Sequence, residues 1–155
     1  NQKGIELKVE IPEEELLASV DKEALTKILS NLFTNALKYA QTYAYLSLSV
    51  DEAGKEFTIV MSNDGKIIPI EMRENIFRPF VQYRDGKDIV PGTGIGLALA
   101  RSLAELHQGT LTMDQDMECN RFILSIPIRH QTASDVLEEE HREKPVYDEE
   151  DKEHV

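Results

Sequence analysis

Seven apolar residues, Leu25, Ile28, Leu29, Leu32, Phe33, Ala36 and Leu37, recur at helical spacing between Asp21 and Ala40. That period predicts a helix over 22–40 with a single apolar stripe. Such a helix needs a second layer to cover the stripe. Asp21 stands where an N-cap belongs, and Ala24 three residues on leaves the reciprocal capping box incomplete.

The covering layer is legible on both sides of the helix. Residues 5–9 alternate apolar and polar as a half-buried strand does, and 16–20 is a short apolar run read as a second strand or extended segment. Segments 43–50 and 56–62 alternate again, joined by Asp51-Glu-Ala-Gly54, a hairpin signal. A short helix fits 73–77, a polar loop 80–91, and a second long helix 96–107, closed by Gln108-Gly109. Segments 110–114 and 121–128 make a last strand pair. Consecutive strands at both ends predict an α+β fold rather than a doubly wound sheet. The expected architecture is a two-layer α/β sandwich, a mixed, mostly antiparallel sheet with the helices on one face.

Charge divides the chain. Residues 131–155 carry ten acids and three bases, a net −7 of the total −12, which leaves −5 for 1–130. We therefore expect a folded domain over 1–130 and an acidic flexible linker or tail over 131–155. No basic face is evident, which argues against nucleic-acid binding. No run approaches the ~18 apolar residues of a membrane span and no secretory pattern opens the chain, so a soluble intracellular piece is expected. Cys119, the single cysteine, cannot form an internal disulfide and reads as a buried structural thiol.

Four segments carry chemistry. In Asn31-Leu-Phe-Thr-Asn35-Ala-Leu-Lys38-Tyr39, the residues Asn31, Asn35 and Lys38 share a helix face, read as turned away from the apolar stripe. That face is either solvated or a place where a carboxamide oxygen meets a hard cation with Lys38 on a phosphate; Mg²⁺ needs only one or two protein ligands beside phosphate. Asn63-Asp64-Gly65-Lys66-Ile67-Ile68-Pro69 is either a plain turn or a strand end holding an oxygen toward a base's exocyclic amine. Ile76-Phe77-Arg78-Pro79-Phe80 sets two aromatics three apart, which in isolation reads as core. Pro91-Gly92-Thr93-Gly94-Ile95-Gly96-Leu97 is a glycine-dense turn running into a helix, where backbone N–H groups can meet phosphate. Its G-x-G-x-G spacing after a loop fits neither a Rossmann fingerprint nor a P-loop.

In this order the four segments resemble the N box, first glycine box, F box and second glycine box of the catalytic, ATP-binding domain of sensor histidine kinases, a branch of the GHKL superfamily. The resemblance covers roughly residues 5–128. It implies the Bergerat ATP-binding fold, with ATP and Mg²⁺ as cofactors. By position, Asn35 would ligate Mg²⁺, Asn31 would lie near the ion or the phosphates, Lys38 would reach the phosphates and Tyr39 would lie against adenine. Asn63, Asp64, Gly65 and Ile68 would form the adenine pocket. Phe77, Phe80, Gly92, Thr93, Gly94, Ile95, Gly96 and Leu97 would frame an ATP lid running from about 77 to 94. Three positions depart from the family pattern: Asn63 replaces the usual Asp, Ile67 replaces the second glycine, and Gln82 stands where an Arg is usual, leaving Arg84 as the nearest substitute.

His107, His130, His141 and His154 lack the context of a phosphoacceptor histidine. The resemblance places the acceptor on a separate upstream helical dimerisation domain, so this chain would be the ATP-binding half of a protein-histidine kinase. It further implies a membrane-anchored homodimeric parent with this domain in the cytoplasm and a response regulator as partner. The acidic linker, unneeded if the parent ended there, points to a hybrid kinase with a receiver domain after residue 155, the rival reading being an ordinary disordered C-terminus. The alternative is a degenerate, non-catalytic nucleotide-binding module of the same fold, for which Asn63 and Ile67 speak.

Overall fold

In the computed structural model, which describes residues 4–80, 95–114 and 118–128, the alternating segments pair into one sheet. Its strands are β1 (Glu6–Glu10), β2 (Tyr43–Val50), β3 (Glu56–Asn63), β4 (Thr110–Met113) and β5 (Asn120–Pro127), in the order β1-β2-β3-β5-β4. Only β1 and β2 run parallel, as their long helical connection requires. All other neighbours are antiparallel. Between β2 and β3 the Asp51 carboxylate closes the hairpin, accepting from the Lys55 and Glu56 N–H groups at 2.7 and 3.0 Å.

The inner face of the sheet is the period-2 set Phe57, Ile59 and Met61 of β3 with Phe122, Leu124 and Ile126 of β5, all buried. Two helices cover it, α1 (Lys22–Tyr39) and α2 (Gly96–Leu106). The Asp21 side chain caps α1, accepting from Glu23 and Ala24 N–H at 3.0 and 3.1 Å. Ala100 and Ala104, four apart on α2, are fully buried, and small side chains there let the two helices approach closely. The expected two-layer α+β sandwich is therefore the observed one.

Four local expectations change. Segment 16–20 is not a strand: Leu16, Ala18 and Val20 pack against the core while Leu17 is 77% exposed, and β1 already occupies the ladder beside β2. β1 is not half-buried, since all five of its residues are exposed. Leu7 and Val9 do share a face with Ala44 and Leu46, but they stand at the sheet edge. The short helix expected at 73–77 is two 3-10 turns, Ile70–Met72 and Asn75–Phe77, flanking the buried Arg73. The Arg73 guanidinium donates to the Ile68 and Asp114 carbonyls, tying this segment to the end of β4.

The fourth change concerns α1 itself. Its buried ridge is Ala24, Ile28, Leu32 and Ala36, while Leu37 is 41% exposed. Leu25, Leu29 and Phe33 of the predicted stripe also pack against the core, partly buried, so all of it but Leu37 meets the sheet layer, with the most deeply buried row shifted to one side. No helix among the described residues is long and apolar enough to cross a membrane. Residues 81–94 and the tail 131–155 lie outside the described residues.

Candidate functional site

The rotation of α1 changes the setting of its asparagines. At 100° per residue, Asn35 lies within one residue's arc of the Ile28–Leu32 ridge, and Asn31 borders it. Both are half-buried, so they flank the core instead of facing away from it. Neither makes a side-chain hydrogen bond among the described residues. Among the described residues no buried side-chain polar atom lacks a partner, so these unpaired amides keep access to solvent and are available to a ligand.

The N-terminus of α2 arrives at Asn31. A Cβ added at Gly96 would stand 3.0 Å from the Asn31 Oδ1, so glycine is what lets the two meet. Among the described residues no side chain caps α2, and its first turn begins beside Asn31. Lys38, half-buried one turn further along α1, holds its ammonium 5.6 Å from the Tyr39 ring centroid. Burial lowers the Lys38 pKa and raises that of the Tyr39 hydroxyl.

The turn after β3 is built from amides and one carboxylate. Asn63 closes the strand on its inner face, 1% exposed, and its Oδ1 accepts from the Gly65 N–H at 2.9 Å. Asn120, the residue paired with it on β5, is 2% exposed. The Asn120 Oδ1 accepts from the Ile68 N–H at 3.0 Å. Its Nδ2 donates to the Lys66 and Gly65 carbonyls at 2.9 and 3.4 Å and to Asn63 Oδ1 at 3.3 Å. Ile68, one of the expected pocket residues, is thereby held by its backbone and buried.

Asp64 turns the other way. Its carboxylate accepts from the Gln41, Thr42 and Tyr43 N–H groups at 2.9, 3.0 and 3.1 Å and from the Thr42 hydroxyl. Desolvation raises its pKa, but these four donors outweigh that and bring it down to about 2. Asp64 thus fastens the α1–β2 loop, and the oxygen expected to face a base is turned into the protein at both Asn63 and Asp64.

Of the aromatic pair, Phe77 is core, packed edge-on against Phe122 with ring centroids 6.2 Å apart. Phe80 is not: it is 75% exposed with φ of 65°, a left-handed conformation unusual for a bulky residue. Arg101 of α2 lies 4.4 Å over the Phe77 ring and forks to both carboxylate oxygens of Glu74. Ile95 is 40% exposed just before α2, and Leu97 packs partly against the core. Arg84, Gly92, Thr93 and Gly94 lie outside the described residues.

The structure therefore brings Asn31 to the start of α2, with Asn35, Lys38 and Tyr39 following along α1 and the Tyr39 carbonyl meeting Gly65 in the turn that also holds Asn63 and Ile68. Sequence reading missed Asn120 and Arg101. Asn120 had a signal: it holds the inward slot that Phe122, Leu124 and Ile126 continue, and an amide in an inward slot demands a partner. Among the described residues no three His, Cys, Asp or Glu gather for a metal, so the converging groups are amides, backbone N–H and one ammonium.

Comparison with known proteins bears on the fold and the family. Residues 20–130 match the family model described as histidine kinase-, DNA gyrase B- and HSP90-like ATPase. The probable sensor kinase SilS of Salmonella typhimurium is 33% identical over 112 residues, 72% of this chain and 22% of that protein. Sensor protein RstB of Escherichia coli K12 is 35% identical over 115 residues, 73% of this chain and 26% of its own length. The chain thus spans about a quarter of the curated relatives it matches. The mycobacterial sensor histidine kinase MprB has a similar fold, with a TM-score of 0.70 at 22% identity over 84% of this chain and 87% of that one. The catalytic domain of histidine kinase ThkA gives 0.67 at 25% identity over 82% of each. With the sheet order, the asparagine helix and the glycine-started second helix in place, the chain belongs to the histidine kinase-, DNA gyrase B- and HSP90-like ATPase family.

Proposed function

We propose that this domain binds ATP with Mg²⁺ and holds the nucleotide for phosphoryl transfer to a histidine on an upstream dimerisation domain of a sensor kinase. One observation carries the reading: Asn31 and Asn35, half-buried one turn apart on α1, make no side-chain hydrogen bond among the described residues, and Asn31 stands against Gly96 at the N-terminus of α2. That donor set fits the group. An amide oxygen suits a hard cation that keeps most of its coordination for water and phosphate, and uncapped N–H groups suit phosphate oxygens.

In this reading Asn35 holds the cation, Asn31 lies beside it, and Lys38 neutralises phosphate charge. Tyr39, Asn63, Gly65 and Ile68 border the base, while Phe77, Phe80 and Ile95 to Leu97 flank the lid that contains Arg84 and Gly92 to Gly94. When bound, Mg²⁺–ATP supplies the transferable phosphoryl group and a counter-charge for it. The chain's residues bind and orient it. His107, the one histidine among the described residues, has its Nδ1 at 2.7 Å from the Leu103 carbonyl on its own helix, consistent with an acceptor elsewhere. The kinship to sensor kinases supports a membrane-anchored dimeric parent, with this domain in the cytoplasm and a receiver domain or separate response regulator as the next acceptor.

Titration calorimetry with ATP and ADP in millimolar Mg²⁺ tests the reading, and no heat of binding for either would sink it. Asn35→Ala should abolish the Mg²⁺ dependence of binding while leaving the melting temperature nearly unchanged, since the residue is no part of the buried ridge. Fused to the upstream helical domain, the chain should label that domain's histidine from ATP. Binding without labelling would leave a non-catalytic nucleotide module.

A further inference from the structure

We infer that Asn63 offers the bound base a hydrogen-bond donor, so that the site favours a ligand edge carrying an acceptor and does not select a 6-aminopurine over a 6-oxopurine. The inference rests on the nucleotide reading above and sharpens its substrate class.

A carboxamide has one oxygen that accepts and one NH₂ that donates, and its neighbours decide which points where. Here the neighbours are backbone groups whose roles are fixed. The Gly65 N–H can only donate, and at 2.9 Å it faces the Asn63 Oδ1. The Ile68 N–H likewise fixes the Asn120 Oδ1, and the Lys66 carbonyl fixes the Asn120 NH₂. That NH₂ then supplies Asn63 Oδ1 with its second donor. Flipping either amide would set donor against donor at a buried position.

The Asn63 oxygen is therefore spent inside the turn. What remains is its NH₂, on a side chain 1% exposed, with no partner among the described residues. Asn63 follows Phe57, Ile59 and Met61 on the face turned toward the helices, the face on which the proposed nucleotide site lies. Asp64, the adjacent acceptor, is occupied by the 41–43 backbone. An exocyclic amine at C6 would meet a donor here and gain nothing, whereas a C6 carbonyl would complete the pair. Aspartate at the same position would keep the Gly65 contact and present a second oxygen, reversing the polarity.

The test is calorimetry of the full chain with ATP, ITP and GTP, each with Mg²⁺, repeated for Asn63→Asp. We expect the wild type to bind ITP and GTP within about threefold of ATP or more tightly. Asn63→Asp should raise the ATP-to-ITP affinity ratio by about tenfold or more, the discrimination typical of one correctly paired polar group. A wild type that prefers ATP over ITP by more than about tenfold overturns the inference while the nucleotide reading stands. The wild-type comparison decides this even if the variant does not fold. A variant that folds and leaves the ratio unmoved overturns it likewise. Binding of none of the three removes the nucleotide reading itself, and the inference with it.

Discussion

At Gly65 an added Cβ would stand 2.3 Å from the Tyr39 carbonyl oxygen, and that oxygen belongs to the last turn of α1. The turn after β3 therefore touches the helix backbone directly, and only glycine permits it. Gly65→Ala should cost about 2–4 kcal/mol in urea unfolding, because backbone and not a flexible side chain must move. Asp64 beside it makes an acid-sensitive clasp. Its carboxyl titrates at about 2 in the folded chain against an ordinary 3.8, so on acidification the unfolded chain takes up the proton first. The stabilisation is complete above about pH 4 and is lost as pH falls toward about 2. Unfolding midpoints measured across that range should drop more steeply for the wild type than for Asp64→Asn. The sequence showed Asn63-Asp64-Gly65 as turn chemistry, but not which carboxylate or amide oxygen faces inward. That depends on the 41–43 loop and on Asn120, which are brought there by strand pairing.

Among the elements, α1 was the most legible and also the most instructive in its error. Its limits and Asp21 cap follow from local chemistry, and Asp21→Ala should lower stability by about 1 kcal/mol on chemical denaturation. Its rotation does not follow. Of the seven apolar positions Ile28, Leu32 and Ala36 are buried, Leu25, Leu29 and Phe33 pack partly against the core and Leu37 is exposed, while Ala24, outside the seven, joins the buried row. That packing half-buries Asn31 and Asn35. The second helix is pinned by Arg101, stacked on Phe77 and forked to Glu74. Arg101→Ala should cost about 1 kcal/mol, since the ring contact adds to an ion pair that is worth little at an exposed carboxylate. If the proposed function holds, it should also weaken nucleotide binding by loosening the start of α2 against the 74–77 turn. An unchanged dissociation constant would confine Arg101 to stability.

For the whole molecule, the sheet order places β3 at the centre and β1 at an edge with every residue exposed. Hydrogen exchange should therefore find the slowest amides in β3 and β5, near Met61 and Leu124, and the fastest strand amides in β1. Uniform protection across the five strands would contradict this ranking. The two-layer α+β class and the limits of the two long helices were determined by the sequence alone, because alternation, helical period and turn residues act over a few positions. The tertiary structure decided the rest. It set which row of α1 is most deeply buried, placed Gly96 against Asn31, paired Asn120 with Asn63, and set which end of each of these two amides is bonded within the turn. These depend on contacts between residues far apart in the chain, and a carboxamide reads the same in sequence whichever way its neighbours turn it.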